Sequence, residues 1–269
     1  LLSDAHLELG QPDEPAYTYD FPVMAEDVAL LGDMGHTISD GLFEWFDVQL
    51  TRFRRVFYLA GNHEAYEWSL EESHKRLQDY AAPRAEPSNG RGVFIYLYRT
   101  RYDLSPTLTL LGCTLWSELD PKHAEAISRV SPDFKRIKGF HIPEYESVHQ
   151  VELSWLEDAL SSLRTQEPDR QIVIFTHHSP TFENTSDPKF KGGFAGSAFS
   201  TKLTEKGWWG EQVKTWCFGH THWSCDFERK GVRVVSNQKG YPTDPPQPFD
   251  PCKIIEVRKV EGMRYLAHL

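Results

Sequence analysis

Five times in this chain a short apolar run ends in a cluster of Gly, Asp, Asn or His, or in a polar turn. The runs are DVALLGDMGH (27–36), RVFYLAGNHE (55–64), LTLLGCTLWS (108–117), QIVIFTHHSP (171–180) and TWCFGHTH (215–222). Apolar runs of this length without alternation read as strands buried on both faces. Between them lie segments with apolar residues at three- and four-residue spacing: 36–53, 68–81 and 147–165. In the last, Val151, Trp155, Leu156, Leu160 and Leu163 make the stripe expected of a helix face. Strands alternating with helices predict an α/β domain. RVVSN (233–237) and KIIEVRKV (253–260) read as closing strands, the second half-exposed. Open α/β sheets place ligands beyond the carboxyl ends of their strands, which is where the polar clusters fall.

The 269 residues fit one domain spanning 1–269, with neither an internal repeat nor a second unit. No run of 18 apolar residues indicates a membrane span. A net charge of -10 disfavours wrapping a nucleic-acid backbone, because that affinity comes from Lys and Arg on phosphates. It leaves room for a small phosphorylated substrate, since bound cations invert local electrostatics. The four cysteines form no C-x-x-C pair; Cys113 and Cys217 sit in strand-like runs and read as buried thiols. That pattern favours a reducing, cytoplasmic setting. The chain opens at Leu1 without methionine, so a removed signal is not judged from it. Nothing in the sequence specifies an oligomeric state. Three loops stand out: 81–92, the long glycine-containing 179–200, which reads as a lid or substrate loop, and the proline-rich 241–251.

Read together, the clusters carry a constellation. SDAH gives Asp4 and His6, GDMG gives Asp33, GNHE gives Asn62 and His63, THHSP gives His177 and His178, and FGHTH gives His220 and His222. Two imidazoles two residues apart on extended backbone point the same way. Carboxylates, imidazoles and an amide oxygen without sulfur suit Mn, Fe, Co, Ni or Zn. Any one cluster alone is as well explained by a capped turn or a structural histidine. Five in one chain, all at strand ends, indicate a metal site.

The order D-x-H, G-D, G-N-H-E, H and G-H-x-H resembles the calcineurin-like metallophosphoesterases, across residues 4 to 222. The segments LGCTLW and NQKGY resemble a branch of small stand-alone members. The resemblance implies a central β-sandwich flanked by helices, with the metal site at the C-terminal ends of the strands. It also implies two divalent metals: Asp4, His6 and His222 on one, Asn62, the histidine of the fourth cluster and His220 on the other, and Asp33 bridging. Either histidine of the fourth cluster fits that place; His177, the nearer to the strand, is favoured, with His178 then an outer or substrate contact. In such a site a water ionised near neutral pH attacks phosphorus in line, and the resemblance makes His63 the general acid or charge stabiliser. Some related enzymes are purple because a tyrosinate binds ferric iron three residues after the bridging aspartate. Here that position is His36, so that colour is not expected, and His36 is either a substrate contact or a helix-start residue. Asn237, in NQKGY, is a further candidate substrate contact. His123, His141 and His149 match no motif position and read as surface or loop residues.

The expected activity is metal-dependent hydrolysis of phosphate esters. No arginine pair stands beside the motifs, with Arg52, Arg54, Arg91 and Arg101 all outside them, which favours a singly charged diester over a monoester. The alternatives are a phosphomonoesterase, including a protein phosphatase, and a non-catalytic metal-binding scaffold. A DNA-end nuclease would need a basic track that this acidic chain lacks.

Overall fold

Three parallel strands, Asp27–Leu31 (β1), Arg55–Leu59 (β2) and Val93–Tyr96 (β3), form one sheet in the order β1-β2-β3. This computed structural model describes residues 1–10, 15–244, 248–257 and 267–268. A second sheet holds Thr100–Ser105 (β4), Leu108–Cys113 (β5), Gln171–Thr176 (β6), Val213–Phe218 (β7), Cys225–Arg229 (β8) and Val232–Ser236 (β9). Its order is β4-β5-β6-β7-β9-β8, parallel from β5 through β9 with an antiparallel strand on each edge. Glu256–Val257 (β10) pairs with Ala267–His268 (β11). Only part of the predicted 253–260 strand is therefore seen as strand, and residues 258–260 lie outside the described set.

Alternation along each strand builds the layers. On the first sheet, Ala29, Leu31, Phe57 and Leu59 meet Val173, Phe175, Cys217 and Val235 of the second in one buried cluster. The intervening Val28, Leu30, Val56 and Tyr58 turn the other way, onto the helices Asp40–Arg52 (α1) and Leu70–Ala81 (α2). Ile172, Ile174, Trp216 and Phe218 likewise face a long helix near the far side of the second sheet. Apolar residues on both faces explain why these strands show continuous runs. The fold is a two-sheet α/β sandwich with helices outside, as the resemblance implied.

Two short helices, Ala124–Val130 (α3) and Asp133–Arg136 (α4), precede the long one, Ile142–Gln166 (α5). Ser39 caps α1 and a Ser69–Glu72 capping box opens α2. The α5 stripe departs from expectation at one residue. Leu153, Leu156, Leu160 and Leu163 are buried, but Val151 is 46% exposed. At 100° per residue Val151 lies about 200° from Leu153, on the solvent face. His149, expected at the surface, is buried on the same helix with Nδ1 on the Trp116 carbonyl.

Residues 1–3 join the sheets at their working edge. Leu2 bridges Leu30 of β1, and Ser3 bridges Gln238, just past β9. The 179–200 loop closes on itself through a Ser179–Ser200 bridge. Among the described residues no helix is long and apolar enough to cross a membrane. Cys113 and Cys217 are fully buried, and the four cysteines are free thiols.

Candidate metal centre

Asp33 follows β1, Asn62 and His63 follow β2, His177 and His178 follow β6, and His220 and His222 follow β7. With Asp4 and His6 from the opening segment, they lie on one edge of the sandwich. The turns are abrupt. Asp4, His6, Asp33, His220 and His222 all have left-handed backbone, with φ between 44° and 71°. Asp and His tolerate this region better than most side chains, but each still costs roughly 1 kcal/mol. Such strain gathers at functional sites. Two glycines make room: a Cβ on Gly32 would come 2.5 Å from His177 Nδ1, and one on Gly61 would run into Asp33 and the His177 ring.

Among the described residues four groups of potential ligands have their atoms mutually within 4.8 Å; the two donor groups that follow the motifs are Asp4, His6 and His222, and Asp33, His177 and His220, while His63 belongs to the other two, with His6 and Asp33 and with Glu8 and His36. Asp33 Oδ2 is 3.4 Å from His177 Nε2 and 4.0 Å from His6 Nε2, so it stands between them. Asn62 Oδ1 is 3.1 Å from His177 Nε2. His178 joins neither group: its Nδ1 is 3.0 Å from Ser117 Oγ, and its ring stacks on His220 with centroids 4.1 Å apart.

In each of these imidazoles the ring nitrogen turned away from the centre is tied down. His177 Nδ1 donates to the Leu31 carbonyl at 2.8 Å, and His220 Nε2 to the Ala198 carbonyl at 3.3 Å. His222 Nδ1 donates to Asp244 at 2.6 Å, and His6 Nδ1 to Glu8 at 3.3 Å. These contacts fix the tautomers and leave His177 Nε2, His220 Nδ1, His222 Nε2 and His6 Nε2 with free lone pairs. His6 Nε2 and His222 Nε2 then face one another at 3.0 Å, an arrangement that repels unless a cation lies between them.

The charges agree. Burial alone would raise the Asp33 carboxyl, yet the His177, His63 and His6 imidazoles hold it well below the usual carboxylate range. Burial opposes a proton on His177, but Asp33 drives that ring up to about 10. A ligand imidazole is neutral, so a metal cation fits the place that proton would fill. The residues present suit divalent metals.

His63 stands beside the groups. Its backbone N–H donates to Asp33 Oδ1 at 2.9 Å, and its Nε2 is 3.9 Å from Asp33 Oδ2. His63 Nδ1 lies 3.4 Å from Glu8. His36 sits at the rim, its Nε2 3.7 Å from the same Glu8 oxygen. Asn237, expected as a substrate contact, is placed differently. It is buried, its amide donates to the Leu1 and Asp250 carbonyls, and its oxygen accepts from the Asp250 N–H. Every polar atom of that side chain holds the chain together, so none is left for a substrate.

Five residues that the sequence did not single out complete the site. Glu8 touches His6, His63 and His36. Glu64, the last letter of GNHE, is fully buried and accepts from the N–H groups of Asp33, Met34 and Gly61 and from the Tyr58 hydroxyl. Asp133 orients the Asn62 amide at 2.8 Å, Asp244 orients His222, and Tyr241 places its hydroxyl 3.1 Å from His63 Nε2. Glu8 had only its closeness to His6, two residues earlier, as a signal. Asp133 and Asp244 had none, since neither belongs to a motif.

Known proteins resemble the chain over most of its length. An uncharacterized protein, L509, of Acanthamoeba polyphaga mimivirus is 24% identical over 256 residues, 89% of this chain and 90% of its own length. The fold is similar to that of the phosphopantetheinyl hydrolase (PptH) of Mycobacterium tuberculosis, with a TM-score of 0.68, 16% identity, and coverage of 90% of this chain and 88% of that one. A family profile described as calcineurin-like phosphoesterase matches residues 1–224. With that match over most of its length, the chain belongs to the calcineurin-like phosphoesterase family and is a metal-dependent phosphoester hydrolase.

Proposed function

We propose that the protein is a two-metal phosphodiesterase acting on small phosphorylated compounds. Asp4, His6 and His222 would hold one cation and Asn62, His177 and His220 the other, with Asp33 shared. A divalent pair, when bound, supplies charge neutralisation and a nucleophile at neutral pH.

What remains for the chain is to fix the phosphoryl group and to deliver a proton to the leaving oxygen. His63 suits the second task. Burial lowers its affinity for a proton, but Asp33 and Glu8 overcome this and push it up to about 8. Glu8 at Nδ1 orients the ring so that Nε2 faces the centre. A ring protonated at neutral pH has a proton to give.

Apart from His63, the observation that carries the diester reading is the lack, among the described residues, of a Lys or Arg paired with the candidate ligands. Among the described residues, no hydrogen bond or ion pair of the two donor groups, Asn62 or His63 involves Lys or Arg. Arg136, 4.3 Å over the Tyr66 ring, is paired with Glu67. A monoester dianion gains most from a positive clamp, whereas a singly charged diester needs less.

The test is hydrolysis of bis-(p-nitrophenyl) phosphate beside p-nitrophenyl phosphate, on metal-stripped protein with Mn2+ restored. A higher kcat/KM on the diester is expected. Preference for the monoester would replace this reading with a phosphatase, and cleavage of neither would favour a scaffold.

A further inference from the structure

Glu8, His36 and His63 form a cluster that the two motif donor groups leave unused. Their ligand atoms lie mutually within 4.8 Å, and the cluster contains none of Asp4, His6, His222, Asp33, His177 or His220. Each residue comes from a different piece of the working edge. Glu8 lies in the short turn Leu7–Leu9, His36 in the loop after β1 and His63 in the turn after β2. The three side chains are 8%, 15% and 11% exposed, so the cluster sits at the rim with water on one side.

The spacing suits a shared cation better than it suits hydrogen bonds. Glu8 Oε1 is 3.4 Å from His63 Nδ1 and 3.7 Å from His36 Nε2, both long for a bond to a carboxylate. A cation about 2.0–2.2 Å from each nitrogen and oxygen holds them about 3–4 Å apart. Glu8 Oε2 and His36 Nε2 are buried atoms with no hydrogen-bond partner among the described residues. Buried polar atoms are nearly always partnered, and here two exceptions fall in one cluster. His63 Nδ1 completes the set. When the ring's single hydrogen is on Nε2, it donates to the Tyr241 oxygen at 3.1 Å and Nδ1 carries a lone pair. Glu8 can serve this cluster without releasing its neighbour, because Oε1 accepts from His6 Nδ1 at 3.3 Å and Oε2 is the bare oxygen.

We infer that Glu8, His36 and His63 bind a third divalent cation at the rim of the metal centre. Two imidazoles and one carboxylate select Zn2+, Co2+ or Ni2+ over Mg2+ and Ca2+. With three protein ligands and its open side in water, this site is weaker than the two motif sites and fills after them. The cation cross-links the opening segment to the turns that follow β1 and β2. Through the Glu8 contact with His6 it also touches the first donor group.

The experiment is a Zn2+ titration of metal-stripped protein by calorimetry, with bound zinc counted at a fixed free concentration, on wild type, His36→Asn and His63→Asn. Neither residue belongs to a motif donor group, and melting temperatures of the zinc-loaded samples report whether each variant is folded. Should one of them unfold, the other carries the test. Wild type is expected to bind one equivalent more than either variant, with the weakest step reduced more than about 100-fold in both and the tighter steps unchanged. The readout is a difference of one equivalent, so it stands whatever the count at the motif sites. If the variants bind as many cations as wild type, the third cation lies elsewhere or does not exist, and the inference is overturned. It is equally overturned if the tight steps weaken together with the weak one, because the two histidines would then be props for the motif ligands.

Discussion

Glu64→Gln isolates what a single buried carboxylate contributes to this site. Oε2 accepts from the N–H groups of Gly61 and Asp33, at 2.7 and 3.0 Å, while Oε1 accepts from the Met34 N–H and the Tyr58 hydroxyl, both at 2.8 Å. Glutamine has nearly the same shape but keeps only one oxygen. If its NH2 replaces Oε2, two backbone donors lose their acceptor. If it replaces Oε1, the Tyr58 hydroxyl can rotate to accept, and only the Met34 N–H is orphaned. The better rotamer therefore costs one unsatisfied buried donor, about 1–3 kcal/mol, and, at a pH above the value of about 7 to which burial and Asp33 push the Glu64 carboxyl, weakens the surviving bonds by removing the charge, about 1 kcal/mol each. The sum is about 4 kcal/mol, or a fall of about 10 °C in melting temperature for a chain of this size. The loops bearing Asp33 and His63 are the ones being tied, so activity should fall with stability. Thermal and urea unfolding of wild type and variant measure the effect. A melting temperature within 2–3 °C of wild type would refute the reasoning, since it would mean these donors find other acceptors at little cost.

Asp244→Ala removes the acceptor that fixes the His222 tautomer, so it should weaken one of the two metals by about 10–100-fold and leave the other unchanged. A metal titration followed by calorimetry should become biphasic, and a uniform loss at both sites would contradict the assignment of His222 to one cation. Glu152, buried in α5, is pushed up to about 7 by burial, which outweighs the pull of the nearby backbone N–H groups. A carboxyl whose folded value is raised binds more protons in the native than in the unfolded chain, so its contribution is present at low pH and is lost as pH rises toward 7. Glu152→Gln should therefore gain about 2 kcal/mol on wild type between pH 5 and pH 8, read from urea midpoints at the two values; a pH-independent difference would sink the idea.

The strands that carry the ligands were readable because both their faces are buried, so that apolar residues run without a break and stop at the turn. β4 and β8 escaped notice because they are edge strands with half-exposed, alternating residues such as RYDLS and CDFER. The residues that gather at the candidate centre could be read from sequence because Asp, Asn and His sit at strand ends there, in motifs with fixed spacing. The residues that hold those ligands obey no such spacing. Asp133 reaches Asn62 from 71 positions away, and only the packing of α4 brings the two together. Asn237 misled for the complementary reason: an Asn beside a motif looks like a contact, but here its amide stitches Leu1 to Asp250.

The short opening segment that lies between β1 and residues 237–239 also sets an order of events. His6 and His222 are 216 positions apart, and the Asp4 backbone is held by Gly32 on one side and Gly240 on the other. Contacts this distant in sequence form late, after loop closure has been achieved. During synthesis the first donors emerge long before the last, and the half-site of Asp4 and His6 has to wait for β7, β9 and the turn carrying Asp244. The candidate group of Asp4, His6 and His222 is therefore complete only once the two sheets have met.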